Sequence, residues 1–112
     1  MKEVAVLGVC LALLGCSEAE FDRATWAAAK GADPLDNPRR EMVDDAERAG
    51  VKPGATRAFV RDLLGEPDSG SSVSVTDVYE LGVAAWSPDE DRLIIEYDAQ
   101  GVVTRVHVRT EG

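Results

Sequence analysis

The pattern of apolar and polar positions changes period once along the chain. Residues 21–64 contain apolar positions at helical spacing, interrupted by glycine and proline, whereas from Val73 onward apolar and polar residues alternate. The change falls in the polar stretch 68–72, just after Pro67. This order predicts one α+β domain, in which two or three N-terminal helices pack on one face of a three-stranded antiparallel sheet.

Three segments of the first half carry helix signals. Residues 21–30 are rich in alanine and are expected to form two to three turns. Residues 38–49 follow the N-cap signal Asn37-Pro38 and end at a glycine. Residues 57–64 lie between a threonine N-cap and a glycine stop, and their spacing predicts a buried face formed by Phe59, Val60, Leu63 and Leu64.

The second half predicts three strands. In the first, Val73, Val75, Tyr79 and Leu81 share one face, and Asp77 falls among them, which predicts a bulge or register break at that residue. The second and third strands are joined by a hairpin turn at residues 98–101. Their predicted inward residues are Leu93, Ile95 and Tyr97, then Val102, Thr104, Val106 and Val108.

The N-terminus has the features of a bacterial lipoprotein signal. A lysine precedes the apolar run 4–14, which is too short to cross a bilayer because about 20 residues are needed. The run ends Leu13-Leu14-Gly15-Cys16, which looks like a lipobox. We therefore expect cleavage between Gly15 and Cys16, lipidation at Cys16, a tether over residues 16–20 and a single domain over residues 21–112.

Net charge limits the partners that the domain can bind. The formal net charge is −9. Phosphate backbones and anionic lipid headgroups repel such a domain, so nucleic-acid binding is not expected. Membrane attachment would then come from acyl chains, which bind in proportion to their buried CH₂ groups.

Side chains that could carry catalysis are sparse. His107 is the only histidine, and both cysteines, Cys10 and Cys16, lie within or at the end of the leading apolar run. The acidic clusters at 44–45 and 89–91 lack the alternating oxygen ligands and mid-loop glycine of a calcium loop. The sequence predicts a non-enzymatic protein with no metal, no cofactor and no small-molecule substrate.

Aromatic residues are the best candidates for a partner surface. Trp86 stands in a predicted loop, where it either covers the small core or contacts a partner, and the same alternatives apply to Trp26, with the core role favoured. Tyr79 is the third candidate. Tryptophan and tyrosine are preferred anchors of protein interfaces.

Several segments together resemble a known family. They are GATRAFVRDLLGEPD at 54–68, YELG at 79–82, LIIEYD at 93–98 and GVV at 101–103. In this order, after a lipobox, they resemble the SmpA/OmlA (BamE-like) outer-membrane lipoproteins and relatives with the fold of β-lactamase inhibitor protein. Val78 stands where that family often has tryptophan, and residues 21–50 do not match it.

The resemblance and the lipobox imply a function in the cell envelope. The first expectation is a non-catalytic lipoprotein, anchored to the outer membrane and facing the periplasm, which binds an envelope protein and supports outer-membrane assembly or integrity. The alternative is an inhibitor-like module that binds a periplasmic or cell-wall enzyme through the loops at residues 69–72 and 85–88. The two expectations differ in the protein that is bound, and both describe a non-catalytic binding protein.

Overall fold

The protein is an α+β domain built on a four-stranded antiparallel sheet. The computed structural model describes residues 21–70, 75–84, 86 and 88–111. The α-helices are α1 (Arg23–Ala28), α2 (Val43–Arg48) and α3 (Arg57–Leu64), and 3-10 turns span Pro34–Asp36 and Pro38–Glu41. The strands are β1 (Ser69–Gly70), β2 (Thr76–Val83), β3 (Glu90–Tyr97) and β4 (Val103–Glu111), in that spatial order. The predicted signal, cleavage site and lipidation site lie outside the described residues.

The predicted number of strands was wrong because the polar stretch after Pro67 is not entirely loop. Ser69 and Gly70 pair with Val78 and Asp77 and form a short edge strand. Gly70 has φ +106°, and a Cβ there would lie 2.5 Å from the Thr76 carbonyl oxygen. Two residues are too few to produce an alternating pattern, so this strand left no periodic signal in the sequence.

Helix α3 confirms the predicted boundaries. The Thr56 side chain accepts a hydrogen bond from the Phe59 N–H, and Gly65 ends the helix with φ +78°. Val60 and Leu64 are fully buried, in agreement with the predicted face. Phe59 departs from that prediction, since 40% of it is exposed at the margin of the face.

The predicted helix over residues 38–49 is two shorter elements. The Asn37 side chain caps the 3-10 turn by accepting from the Arg39 N–H, and Met42, with ψ 0°, separates that turn from α2. Arg39 is 98% buried, and its Nε–H donates to the Trp26 carbonyl at 2.9 Å. The buried guanidinium leaves this segment without a continuous apolar stripe.

Asp77 does not cause a break in β2. The register of β2 against β3 is continuous at Asp77 and shifts instead between Glu80 and Gly82. Asp77 stays in phase with Tyr79 and Leu81 and is fully buried with them. The prediction of a bulge at Asp77 is wrong because a carboxylate paired with arginines can occupy a core position without interrupting the strand.

The start of β4 also differs from the prediction. An extra residue in β4 shifts its register against β3 between Glu96 and Tyr97, so that Val103 pairs with Tyr97. The shift turns Val103 inward, where it is buried, and leaves Thr104 exposed. Val106 and Val108 keep the predicted inward face.

Candidate protein-binding surface

Two of the three aromatic residues predicted at a partner surface belong to the core. Trp26 and Tyr79 have no exposed surface, and their ring centroids lie 5.9 Å apart. Phe21 also contacts Trp26, at 5.7 Å between centroids. The placement of Trp26 and Tyr79 at a partner surface is therefore corrected, whereas the alternative core role of Trp26 agrees with the structure.

Polar contacts hold these two rings in place. The Tyr79 hydroxyl donates to the Gly65 carbonyl at 2.7 Å, and burial raises the pKa of that phenol well above its ordinary value. The Arg39 guanidinium lies 4.6 Å from the Trp26 ring centroid, within cation–π distance. Burial lowers the pKa of Arg39, and the nearby Asp68 carboxylate opposes that shift. Both rings thus connect the N-terminal helices to the sheet.

Trp86 has the opposite environment. It lies in the loop between β2 and β3 with 85% of its surface exposed, and Leu35 in the first 3-10 turn is 70% exposed. Both border a shallow groove of about 390 Å³, which we call the hairpin groove. Its remaining lining consists of Asp36, Asn37, Pro38, Arg40, Glu41 and Val83. Exposed apolar side chains on either side of one groove are typical of a protein-binding surface.

The local sequence fixes Leu35 beside this groove. The Asp33 side chain accepts from the Leu35 N–H at 2.9 Å, and Pro34 occupies the first position of the turn. The Pro34 carbonyl oxygen packs so closely on Gly82 that a Cβ on Gly82 would lie 2.3 Å from it. Gly82 has φ +81°, which L side chains rarely adopt. The glycine of YELG therefore joins the 3-10 turn to the β2–β3 hairpin.

Arg40, which lines the hairpin groove, forms an ion pair with Asp91. Arg40 donates to Asp91 at 3.1 Å and also lies 3.8 Å from Glu41. The hydrogen bond from the Thr110 hydroxyl lowers the pKa of Asp91, burial opposes it, and the hydrogen bond from Arg40 lowers it further. The groove thus combines apolar rims with a charged residue already held in position.

Asp77 is the centre of a buried ion cluster that the sequence reasoning missed. Its Oδ1 accepts from Arg57 and Arg61, each at 2.7 Å. Its Oδ2 accepts from Arg61 Nε and the Tyr97 hydroxyl, each at 3.0 Å. Burial raises the pKa of Asp77, but the hydrogen bonds from Arg61, Arg57 and Tyr97 outweigh it and hold the pKa below its ordinary value. With four donors bound, this carboxylate is poorly placed to act as a base.

A sequence signal for this cluster was present. Asp77 falls in the apolar phase of its strand, and arginines at positions 57 and 61 are one turn apart in α3. A carboxylate on a core face requires a charged partner, and those arginines supply it. Leu35 gave a weaker signal, as the one leucine within the polar stretch 31–41.

A second cleft, of about 250 Å³, lies beside Arg39. Arg39 donates to Asp68 at 3.3 Å, and Lys30 lies 3.7 Å from the same carboxylate. Glu80 and Glu90 also line this cleft, and Arg92 pairs with them at 3.0 Å and 3.1 Å. Within the described part of the chain, no group of three acidic, histidine or cysteine side chains is arranged to hold a metal ion.

Comparison with known proteins returned no relative: no family model, curated protein or solved structure matches the chain. In the described residues, none of the helices has the length and hydropathy needed to cross a membrane.

Proposed function

We propose that this protein is a non-catalytic, lipid-anchored protein-binding module of the bacterial cell envelope, which uses the hairpin groove to bind a protein partner. The observation that carries the binding proposal is the pair of exposed side chains, Trp86 and Leu35, on the rims of one groove. Tryptophan is enriched among the residues that dominate binding energy. The fixed contact between Pro34 and Gly82 supports the proposal, because a preformed surface loses less entropy on binding.

The anchor is proposed from the sequence Leu13-Leu14-Gly15-Cys16. We infer cleavage before Cys16, acylation of its thiol and attachment to the outer membrane on the periplasmic side, where the domain would contribute to membrane assembly or integrity. The resemblance to SmpA/OmlA (BamE-like) lipoproteins supports this assignment at the level of motif order. The experiment compares the full chain with Cys16→Ser by fractionation and intact mass. A lipid-bearing mature form that disappears in the variant is expected, and a chain retaining residues 1–15 would contradict it.

The binding proposal has its own experiment. The full chain is purified from envelopes after mild crosslinking, beside the Trp86→Ala and Phe59→Ala variants. Phe59 is a matched control because it is also an exposed aromatic, at 40%, on a different element. A protein recovered with wild type and with Phe59→Ala but absent with Trp86→Ala supports the hairpin groove. Equal recovery with all three chains would contradict it.

An inhibitor-like module is the second candidate. The observation that favours it is the position of Trp86 at a hairpin loop, since a projecting aromatic suits insertion into a cleft of an enzyme. Of its other predicted contact loop, Ser69 and Gly70 belong to β1. Unchanged rates of penicillin-binding proteins, β-lactamases and wall hydrolases with excess protein would exclude this candidate.

A further inference from the structure

The outer edge of β4 is the longest open backbone edge in the described part of the chain. β4 is the last strand in the sheet order, and no described strand lies beyond it. Only its first residue is covered: the Gly54 N–H donates to the Val103 carbonyl, and the Val103 N–H donates to Ala55. The opposite edge of the sheet is β1, which is two residues long.

The hydrogen-bond pattern identifies the backbone groups that point outward from this edge. The Tyr97 N–H donates to the Val75 carbonyl, so the inward residues of β3 direct their backbone groups toward β2. The outward residues of β3, such as Glu96 and Ile94, must then bond β4, at their partners Arg105 and His107.

Successive residues of a strand direct their backbone groups to opposite sides. Every second residue of β4 does not bond to β3. These alternate residues therefore present their N–H and C=O groups at the open edge. They are Val106, Val108 and Thr110. A strand added to this edge would bond to these three residues and continue the sheet.

An apolar groove accompanies the open edge on the inner face of the sheet. It has a volume of about 210 Å³ and lies between α2 and β4. Val43 and Ala46 of α2, with Val106 and Val108 of β4, contribute to its walls. Val108 remains 47% exposed because the helices do not cover this end of the sheet. An added strand would place its inward side chains against these residues.

The outer face of β4 carries two exposed arginines, although the whole chain has a net charge of −9. Arg105, His107 and Arg109 form a row along β4, and the two arginine side chains are 65% and 58% exposed. Glu96 and Glu111 lie near them, at 3.8 Å from Arg105 and 3.3 Å from Arg109. Two copies paired through β4 would bring two such rows side by side, which is unfavourable. Acidic side chains on the added strand would be complementary.

We propose that β4 receives an extended segment of a protein partner as a fifth strand, with apolar residues facing the groove and acidic residues facing Arg105 and Arg109. The inference rests on the proposed protein-binding function and adds a second surface, with the chemistry of the segment that it binds. Backbone hydrogen bonds to Val106 and Val108 hold the segment against β4, and the alternation of apolar and acidic side chains along the segment makes the binding specific.

The test uses the full chain in mild detergent and a capped peptide as long as β4 that alternates valine and glutamate. One control peptide has the same composition in two blocks, and another alternates valine and lysine. Binding is followed by amide chemical shifts and hydrogen exchange. The alternating acidic peptide is expected to protect the Val106 and Val108 amides and to bind roughly tenfold or more tightly than either control.

Two variants make the test specific. Val108→Pro removes an N–H that does not serve β3, so the fold is expected to persist while peptide protection disappears. Arg105→Glu combined with Arg109→Glu is expected to reverse the preference, so that the lysine peptide binds better. Trp86→Ala is expected to bind the acidic peptide as wild type does, which separates this surface from the hairpin groove.

Three results would overturn the proposal. They are equal affinity for all three peptides, no protection of the Val106 and Val108 amides, and protection of those amides without peptide in a concentration-dependent dimer. The last would assign the edge to a second copy of the chain.

Discussion

The two tryptophans of this domain stand in opposite environments. Trp26 is fully buried in contact with Phe21 and Tyr79, whereas Trp86 is 85% exposed beside a shallow groove. The region around Trp26 is held by a guanidinium, a phenol hydrogen bond and close ring packing, so its side chains contribute to folding. The region around Trp86 buries little of its apolar surface, so its side chains are available to a partner. The comparison predicts that stability and binding can be altered separately.

The largest expected effect is that of Trp26→Ala. Removal of a fully buried tryptophan leaves a cavity and costs about 3–5 kcal/mol of the free energy of unfolding. Small domains have a free energy of unfolding of about 5–15 kcal/mol, so the variant would lose much of its stability. Urea unfolding measures the change, with Trp86→Ala as the matched control. A loss below about 1 kcal/mol for Trp26→Ala would contradict its central place in the core.

Asp77→Asn tests the buried ion cluster and has the next largest effect. Loss of the charge leaves Arg57 and Arg61 facing each other, and we expect the free energy of unfolding to fall by about 3 kcal/mol at neutral pH. Since the pKa of Asp77 is lower in the folded state than in the unfolded chain, its contribution is fully present above about pH 4 and is lost as the pH falls further, toward the lower pKa of the folded state.

The measurement for Asp77→Asn is urea unfolding at a series of acidic pH values. The difference between wild type and variant should shrink as the pH falls below about 4. Glu66→Gln is a suitable control, because this carboxylate is exposed and lies 3.9 Å from Arg61. A difference that stays constant over this range would contradict the assigned role of the carboxylate.

Gly82→Ala tests the close contact between the first 3-10 turn and the β2–β3 hairpin. The new Cβ would lie 2.3 Å from the Pro34 carbonyl oxygen at φ +81°, so we expect a loss of about 2 kcal/mol and weaker partner binding. Gly31→Ala is the matched control, because Gly31 has φ +77° and open space around its Cβ position. Unfolding experiments on both variants separate the clash from the φ strain. Equal losses would show that the close approach is unimportant.

The smallest effect on stability, with a large one on binding, is expected for Trp86→Ala. Its exposed side chain should change the free energy of unfolding by less than about 0.5 kcal/mol. Loss of an interface anchor costs about 2 kcal/mol or more of binding free energy, or roughly thirtyfold in affinity. Titration of the partner recovered from envelopes gives the affinity. A stability loss as large as that of Trp26→Ala would mean that Trp86 packs on the core.

The sequence was most informative where local chemistry decides structure. Thr56 and Gly65 fixed both ends of α3, and the alternation through Leu93, Ile95 and Tyr97 gave the buried face of β3. The sequence was least informative where contacts between residues far apart along the chain determine the structure. Whether a tryptophan is buried depends on which rings meet it, and Tyr79 is 53 positions from Trp26 along the chain. Asp77 shows the same limit, because its partners lie on a different element.

The most direct test of the central claim is crosslinking in the living envelope with a photoreactive residue at position 41, where exposed Glu41 lines the hairpin groove. The full chain keeps Trp86 and carries the probe at position 41 or at position 28, where exposed Ala28 on α1 serves as the control. We predict one discrete adduct from position 41 that is absent from position 28 and is lost when Trp86→Ala is added. The same adducts from both positions, or none from position 41, would contradict the assignment of the hairpin groove as the binding surface.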